Sequence, residues 1–317
     1  MPLPTVDRVP GMGILDGRVV IVTGAGRGIG RGEALECARQ GAAVVLAEFD
    51  AEAGRQVHEE IASAGGQATL VTGDVADTAV ANRLIRTAVE GFGQLDALVN
   101  NAGILRDRTV VKMSDEEWDD VVRVHLRGHF APTRAACRYW RESERPGRIV
   151  HTSSTSGILG NFGQANYGAA KAGIAAFSTI VAMEMARHGV TSNAIAPSAI
   201  TRMTEELLPE DVRTRRKEAA ERGEFDFFAP DNIAPLVAFL CSDAAGHISG
   251  KVFGVQGDSV EIYQPFTSAA EITAGGRRWD PAELAGRIDE LFAASGIQAG
   301  PENMMARMRY GILAHPS

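Results

Sequence analysis

The chain has few cysteines, no surplus of positive charge, no leader-like start and no long apolar run, and each shortage excludes something. Its three cysteines, Cys37, Cys137 and Cys241, lie far apart and in no ligand spacing. They offer neither a disulfide framework nor a zinc site, and their sparing use fits a reducing compartment. Lysine and arginine number 32 against 40 for aspartate and glutamate, a net charge of −8. That balance argues against a nucleic-acid binder, which carries a basic face. The basic run "RTRRK" (213–217) reads as solvated helix surface. The start, "MPLPTVDRVPGMGILDG", lacks a charged segment followed by an apolar one, so no secretory signal is expected. The most apolar helical stretch, "AGIAAFSTIVAMEMA" (172–186), is expected to be too short and interrupted to cross a bilayer. What is present, 45% hydrophobic and 23% charged residues, is ordinary for a globular protein with a real core. A soluble protein of cytoplasmic type is the expectation.

From residue 18 onward, short β-branched runs alternate with longer helical patterns. Strands are expected at 18–23, 42–48, 68–72, 95–100, 147–153, 191–196 and 251–255. Helices are expected between them at 28–40, 51–64, 77–92, 115–143 and 165–188. Such alternation argues for parallel strands joined by right-handed helical crossovers. The strands are nearly continuous apolar runs, as when helices cover both faces of a sheet. Two segments fall outside the pattern. Residues 201–230 read as a helical excursion ending in the aromatic "EFDFF" (224–228), a lid candidate. Residues 259–317 read as an extension with helical patterns at about 281–295 and 301–313. The extension has too few apolar residues for its own core, so it is expected to pack on the main domain, 1–258, or on a partner subunit.

"IVTGAGRGIG" (21–30) follows the first strand directly and opens the first helix. Gly24, Gly28 and Gly30 supply a tight turn, close backbone approach to a pyrophosphate and close helix–strand packing, with Arg27 and Ile29 between them. The helix N-terminus points free N–H groups at the phosphates. The second strand ends in Glu48, with Asp50 close behind. A carboxylate there accepts hydrogen bonds from both adenosine-ribose hydroxyls and repels a 2′-phosphate, which favours NAD over NADP. Arg27 points the other way, since it could pair with a 2′-phosphate. "TGDV" (72–75) places Asp74 and Val75 where an adenine could be read, and "NNAG" (100–103) places Asn101, Ala102 and Gly103 at the ligand crevice. For Asp74 and Asn101 a plain turn-capping role is an equal alternative. The whole reads as a Rossmann-type, doubly wound α/β fold with a C-terminal helical extension.

Ser154 lies thirteen residues before Tyr167, and Lys171 four after it. Tyr167 and Lys171 share one helix face, and Ser154 follows a strand. A tyrosine with a pKa of about 10 is a poor base near neutrality, and a nearby ammonium is expected to lower that value. Ser154 can hold a substrate oxygen near the phenol. Together the three can take a proton from an alcohol while hydride leaves its carbon for a nicotinamide.

These motifs, "TGAGRGIG", "NNAG", "SS…YGAAK" and "IAPSAIT", stand in the order of the short-chain dehydrogenase/reductase superfamily, which the chain resembles from about residue 16 to 258. "NNAGILRDR" (100–108), "VHLRGHF" (124–130) and "IAPSAITRMT" (195–204) are similar to the (3R)-hydroxyacyl-CoA dehydrogenase region of peroxisomal multifunctional enzymes and to stand-alone actinobacterial relatives. The resemblance implies a β-hydroxyacyl-CoA substrate, steroidal or fatty in its acyl group, and a homodimer or homotetramer; the NAD preference suits oxidation to the β-ketoacyl-CoA. It places His125 where most of the superfamily has a catalytic asparagine. It assigns Pro197 and Thr201 to the nicotinamide side of the cofactor site, although the usual Pro-Gly is Pro197-Ser198 here. Phe225, Phe227 and Phe228 of the lid candidate could wall an acyl pocket or simply pack the core. Rival readings are an NADPH-dependent ketoacyl reductase, a CoA-independent steroid dehydrogenase and a silent NAD-sensing scaffold.

Overall fold

The computed structural model describes residues 13–200, 210, 213–214, 218, 222–264 and 266–301. It divides into two compact units, Met1–Tyr263 and Gln264–Ser317. In the first, the described strands form one sheet in the order β3-β2-β1-β4-β5-β6-β7-β8. They are β1 (Val19–Thr23), β2 (Ala43–Glu48), β3 (Gln67–Thr72), β4 (Ala97–Asn100), β5 (Gly147–Thr152), β6 (Val190–Pro197), β7 (Val252–Gln256) and β8 (Ser259–Ile262). The first seven are parallel, and β8 adds an antiparallel edge.

Helices α1 (Gly28–Arg39), α2 (Ala51–Ser63), α3 (Thr78–Phe92), α4 (Asp115–Val122), α5 (Gly128–Ser143), α6 (Thr155–Leu159), α7 (Ala165–Met185) and α8 (Ala234–Leu240) complete the unit. Alternate side chains of β1 serve two cores, as the two-residue strand period requires. Val20 and Val22 meet Ala34 and Cys37 of α1 with Val237 of α8. Val19 and Ile21 meet Leu84 of α3 with Trp140 of α5. Each such large apolar side chain contributes roughly 1.5–3 kcal/mol by leaving water. Trp140, fully buried, also donates its indole N–H to the Leu95 carbonyl at 2.8 Å.

The doubly wound α/β architecture is the one the alternation implied. Four local differences have physical causes. The single helix expected at 115–143 is two helices joined by a π-turn, Arg123–Arg127. A capping box of Ser114 and Glu117 starts α4. Pro132, four residues into α5, has no N–H for the Gly128 carbonyl, which loosens the helix beside the π-turn. The apolar run "APLVAFL" of α8 is too short to declare a period. Residues 259–262, read as the start of the extension, pair with β7 instead. Finally, Ala165–His188 spans 24 residues and contains an 18-residue stretch of mean hydropathy 1.3, long and apolar enough by composition to cross a membrane. The shorter stretch judged from sequence underestimated it. In the fold this helix packs on α6, α4 and β6 and buries polar groups such as Lys171 and Ser178.

The second unit contains α9 (Pro281–Ser295), capped by Asp280, whose carboxylate accepts from Ala282 N and Glu283 N. Arg287 of α9 lies over the Trp279 ring at 5.3 Å. The helical pattern expected at 301–313 lies, apart from 301, outside the described residues. So do Thr201 and most of the lid candidate up to 221.

Candidate active site

The strand order reverses between β1 and β4, and the predicted cofactor residues gather at the carboxyl ends of the strands around that switch point. Gly24 and Gly28 take left-handed φ values of 65° and 54°, which only glycine adopts without strain. A Cβ on Gly30 would stand 2.2 Å from the Gly24 carbonyl oxygen and 2.3 Å from Asn101 Nδ2. Arg27 is the N-cap of α1 but makes no side-chain cap, and the first turn holds no acid, so its N–H groups remain available to an anion. Ile29 packs against the core beneath. Backbone and glycine thus make a cradle that fits a dinucleotide pyrophosphate.

Glu48 closes the cradle's far side. Its carboxylate accepts from Gly26 N at 2.8 Å, Phe49 N at 2.9 Å and Asp50 N at 3.1 Å. These bonds fix the carboxylate between the β1 loop and the end of β2, where a ribose would lie. Arg27, the residue that could have welcomed a 2′-phosphate, is paired with Asp50 at 2.6 Å. Asp50 also caps α2, and the cap's backbone N–H groups with Arg27 hold its carboxyl below the usual range.

The turn-capping alternative for Asp74 and Asn101 is partly realised. Asp74 accepts from Ala76 N at 2.9 Å and pairs closely with Arg123. Asn101 Nδ2 donates to the carbonyls of Thr23 at 3.0 Å and Gly24 at 3.3 Å, bracing the glycine loop from β4. Val75 is buried and Ala102 half-buried. Gly103 passes so close to His125 that a Cβ would meet its ring at 2.3 Å. Pro197 ends β6 opposite Val255. The placement of Thr201 lies outside the described residues.

Ser154 and Lys171 are brought together with Tyr167 at the ends of β5 and α7. Ser154 is the N-cap of α6 and accepts from Ser156 N at 3.1 Å. Gly157 lets α6 lie against the backbone of Lys171, where a Cβ would come within 2.6 Å. Lys171 Nζ donates to the Thr152 carbonyl at 2.5 Å and stands 5.5 Å from the centre of the Tyr167 ring. Burial holds the Lys171 ammonium down to about 7, with Glu33 opposing. Burial also pushes the Tyr167 phenol above its ordinary value, against the hydrogen bond from Ser154. The sequence had suggested that Lys171 would lower the phenol's pKa. In the structure desolvation prevails, and the Ser154 hydrogen bond, rather than the Lys171 charge, is what favours the phenolate. The corner therefore pairs a phenol that resists losing its proton with an amine that is free to take one near neutrality.

His125 sits in the π-turn, buried, with its ring edge-on to Tyr167 at 5.2 Å. Its Nε2 lies 2.8 Å from the Ile104 carbonyl and 3.1 Å from the Ile104 N. Burial and then the Lys171 charge push it down to about 3, so the imidazole is neutral. It touches the tyrosine and the loop after Gly103.

Three further residues serve the site without having been singled out. Thr23 Oγ1 accepts from Asn101 N at 2.9 Å and Ala102 N at 3.1 Å, locking β4 to β1. Asn166 is buried and joins three segments: it donates to the carbonyls of Arg106 and Glu117 and accepts from Tyr167 N at 2.7 Å. Glu33, fully buried on α1, has no hydrogen-bond partner for either carboxyl oxygen among the described residues. Burial raises it to about 8, with Lys171 opposing. An acid amid the apolar face of α1 was the available signal for Glu33. Nothing in the sequence marked Thr23 or Asn166 apart from their neighbours.

This geometry of glycine cradle, acidic strand end and Ser–Tyr–Lys corner agrees with comparisons to known proteins. The profile of the short chain dehydrogenase family matches residues 18–211. The chain belongs to that family. It is 44% identical over 293 residues to the hydroxyacyl-CoA dehydrogenase ChsB1 of Mycobacterium tuberculosis, covering 88% of this chain and 90% of that one. It is 43% identical over 244 residues to the mouse peroxisomal multifunctional enzyme type 2, covering 74% of this chain but only 31% of that enzyme. The crystal structure of a short chain dehydrogenase from Mycobacterium avium superposes with a TM-score of 0.79 at 45% identity, over 89% of this chain and 96% of that one. The protein is thus an oxidoreductase of a family that uses a nicotinamide cofactor.

Proposed function

We propose that this dehydrogenase oxidises a β-hydroxyacyl-CoA to the β-ketoacyl-CoA with NAD, in the breakdown of a fatty or steroid side chain. The observation that carries the cofactor choice is Glu48. A fixed carboxylate at the ribose end of the cradle, with Arg27 already engaged by Asp50, disfavours a 2′-phosphate. Bound in that cradle, NAD would supply the hydride acceptor. The chain's residues do the rest. Ser154 donates to the substrate oxygen and holds it at the phenol. Tyr167 takes the carbinol proton and must shed its own. Lys171, which titrates near 7, is the group able to receive it.

The thioester assignment is supported by the names of the relatives. Val110 is 73% exposed, Val111 88% and Phe162 89%, apolar surface on the loops before α4 and α7 that the acyl group of a thioester would cover. Their loops are tied together by the Arg108–Gln164 bridge and by Gln164 Nε2 donating to Asp107 Oδ2 at 2.8 Å. Of the lid aromatics, Phe225 is exposed, whereas Phe227 packs at Gly257 and edge-on to Phe228. Phe225 is accordingly the one offered to an acyl group. Ile180, Met183 and Phe130, also exposed, support a homo-oligomer built on α7 and α5, and the cytoplasm is the proposed compartment.

The test mixes the protein with NAD or NADP and, separately, a 3-hydroxyacyl-CoA, the same acyl group on acyl carrier protein, and a free steroid alcohol. Reduction of NAD by the CoA thioester is expected. A preference for NADP with the carrier-protein thioester, or oxidation of the free steroid alone, would overturn the reading.

A further inference from the structure

The buried side of α5 carries polar groups that the chemistry above leaves unused. His129, four residues beyond His125, is buried, and its ring hydrogen-bonds the His125 backbone carbonyl. Its Nε2 has no partner among the described residues, so Nδ1 carries the donated proton. The ring stacks on that of His151 from β5, with centroids 5.6 Å apart and planes 21° apart. His151 is fully buried, and its Nδ1 faces Asn100 Nδ2 at 3.4 Å. Asn100 also donates to Thr133 Oγ1 at 3.0 Å, one turn along α5 from His129. Phe177 of α7 closes edge-on over His151 at 5.5 Å.

These contacts form a bracket joining β4, β5 and α5, and at His129 it meets the carbonyl at the centre of the π-turn. A single π-turn inside an α-helix is intrinsically rare and needs its surroundings to hold it. From this turn the His125 ring reaches Ile104 and the edge of Tyr167. We propose that His129 is a positioning residue: braced on His151, it clamps the His125 carbonyl and keeps the π-turn in the register that aims His125 at Ile104 and Tyr167. The titratable groups that face it are Lys171 from α7, His125 from the π-turn and His151 from β5. Burial, and next the Lys171 charge, keep it well below the usual imidazole range, so it acts as a fixed neutral donor.

The inference rests on the dehydrogenase reading for its kinetic arm, with wild-type turnover as the control. Two variants separate positioning from bulk stability: His129→Leu removes the donor, and His129→Asn keeps an N–H near the Nδ1 position. His129→Leu is expected to lower kcat about 10- to 100-fold through misplacement of the corner, with KM and dinucleotide affinity little changed. His129→Asn should recover most of that loss. A second readout needs no turnover: near-ultraviolet difference titration, in which the Tyr167 midpoint is identified by its disappearance in Tyr167→Phe. That midpoint should move in His129→Leu and return in His129→Asn. Wild-type kcat and an unmoved midpoint in His129→Leu would overturn the proposal. So would an equal loss in both variants that follows their melting temperatures. If the wild-type protein oxidises no thioester, the proposed function fails, and the phenol titration still decides the role of His129.

Discussion

The phosphate cradle and the reaction corner lie at neighbouring strand ends of one sheet, yet they are made of different materials. The cradle is backbone: glycines in left-handed turns, free N–H groups of α1 and one carboxylate pinned by three amides. The corner is side chain: a hydroxyl just after β5, a phenol and an amine from α7 and an imidazole from the π-turn, the last three with pKa values displaced by burial. The cradle's function depends on what is missing, so an added methyl group harms it. The corner's function depends on groups that water would otherwise solvate, so removing one harms it.

The sharpest break between the two regions is Tyr167→Phe. It should lower kcat by about 10³-fold, within the range for loss of a general acid–base group, while calorimetric titration shows near-normal dinucleotide binding. Glu33 links the regions, since it sits on the cradle's helix and acts on Lys171. Its carboxyl titrates near 4.5 unfolded and about 8 folded, so the folded chain keeps a proton that the unfolded chain releases between those values. Stability on this account falls as pH rises from 4.5 to 8, and the penalty is complete above 8. Glu33→Gln should therefore be neutral at pH 5 and stabilising by on the order of a few kcal/mol at pH 8.5, read from denaturant melts. An unchanged difference across that range would remove Glu33 from the account.

Gly30→Ala is the converse of the tyrosine test. Its Cβ would overlap backbone at 2.2 Å, and overpacking of about 1–3 kcal/mol should weaken dinucleotide binding roughly 10- to 100-fold. The corner's phenol titration should stay as in the wild type. The smallest effect is expected at Arg123, which pairs with Asp74 on a half-exposed surface. Arg123→Ala should change stability by less than about 1 kcal/mol. A larger change in dinucleotide affinity would show that Asp74 needs this partner to read the adenine.

The contrast also explains what the sequence could disclose. Gly24, Gly28 and Gly30 announce the cradle because backbone demands are local and leave a fixed glycine spacing. The spacing of Ser154, Tyr167 and Lys171 discloses the corner's members for the same reason, since a strand end and one helix turn set it. Their electrostatics were not legible. The displaced pKa values of Tyr167 and Lys171 come from burial under α6 and beside the π-turn, which is a property of packing. The π-turn itself, Asn166 and the stack of His129 on His151 depend on partners 20 to 60 residues away in the chain. Strand β8 and helix α8 escaped because four and seven residues hold too little periodicity.

The claim on which the account turns is that the substrate's proton moves through Tyr167 toward a lysine made receptive by burial. The pH dependence of single-turnover NAD reduction, in the wild type and in Lys171→Met, measures it most directly. Lys171 sheds its proton near 7, so the wild-type rate should rise as pH passes through that value, and the variant should be slow and lose the inflection. A wild-type rate that is flat through pH 7, or an inflection that persists in Lys171→Met, would contradict it.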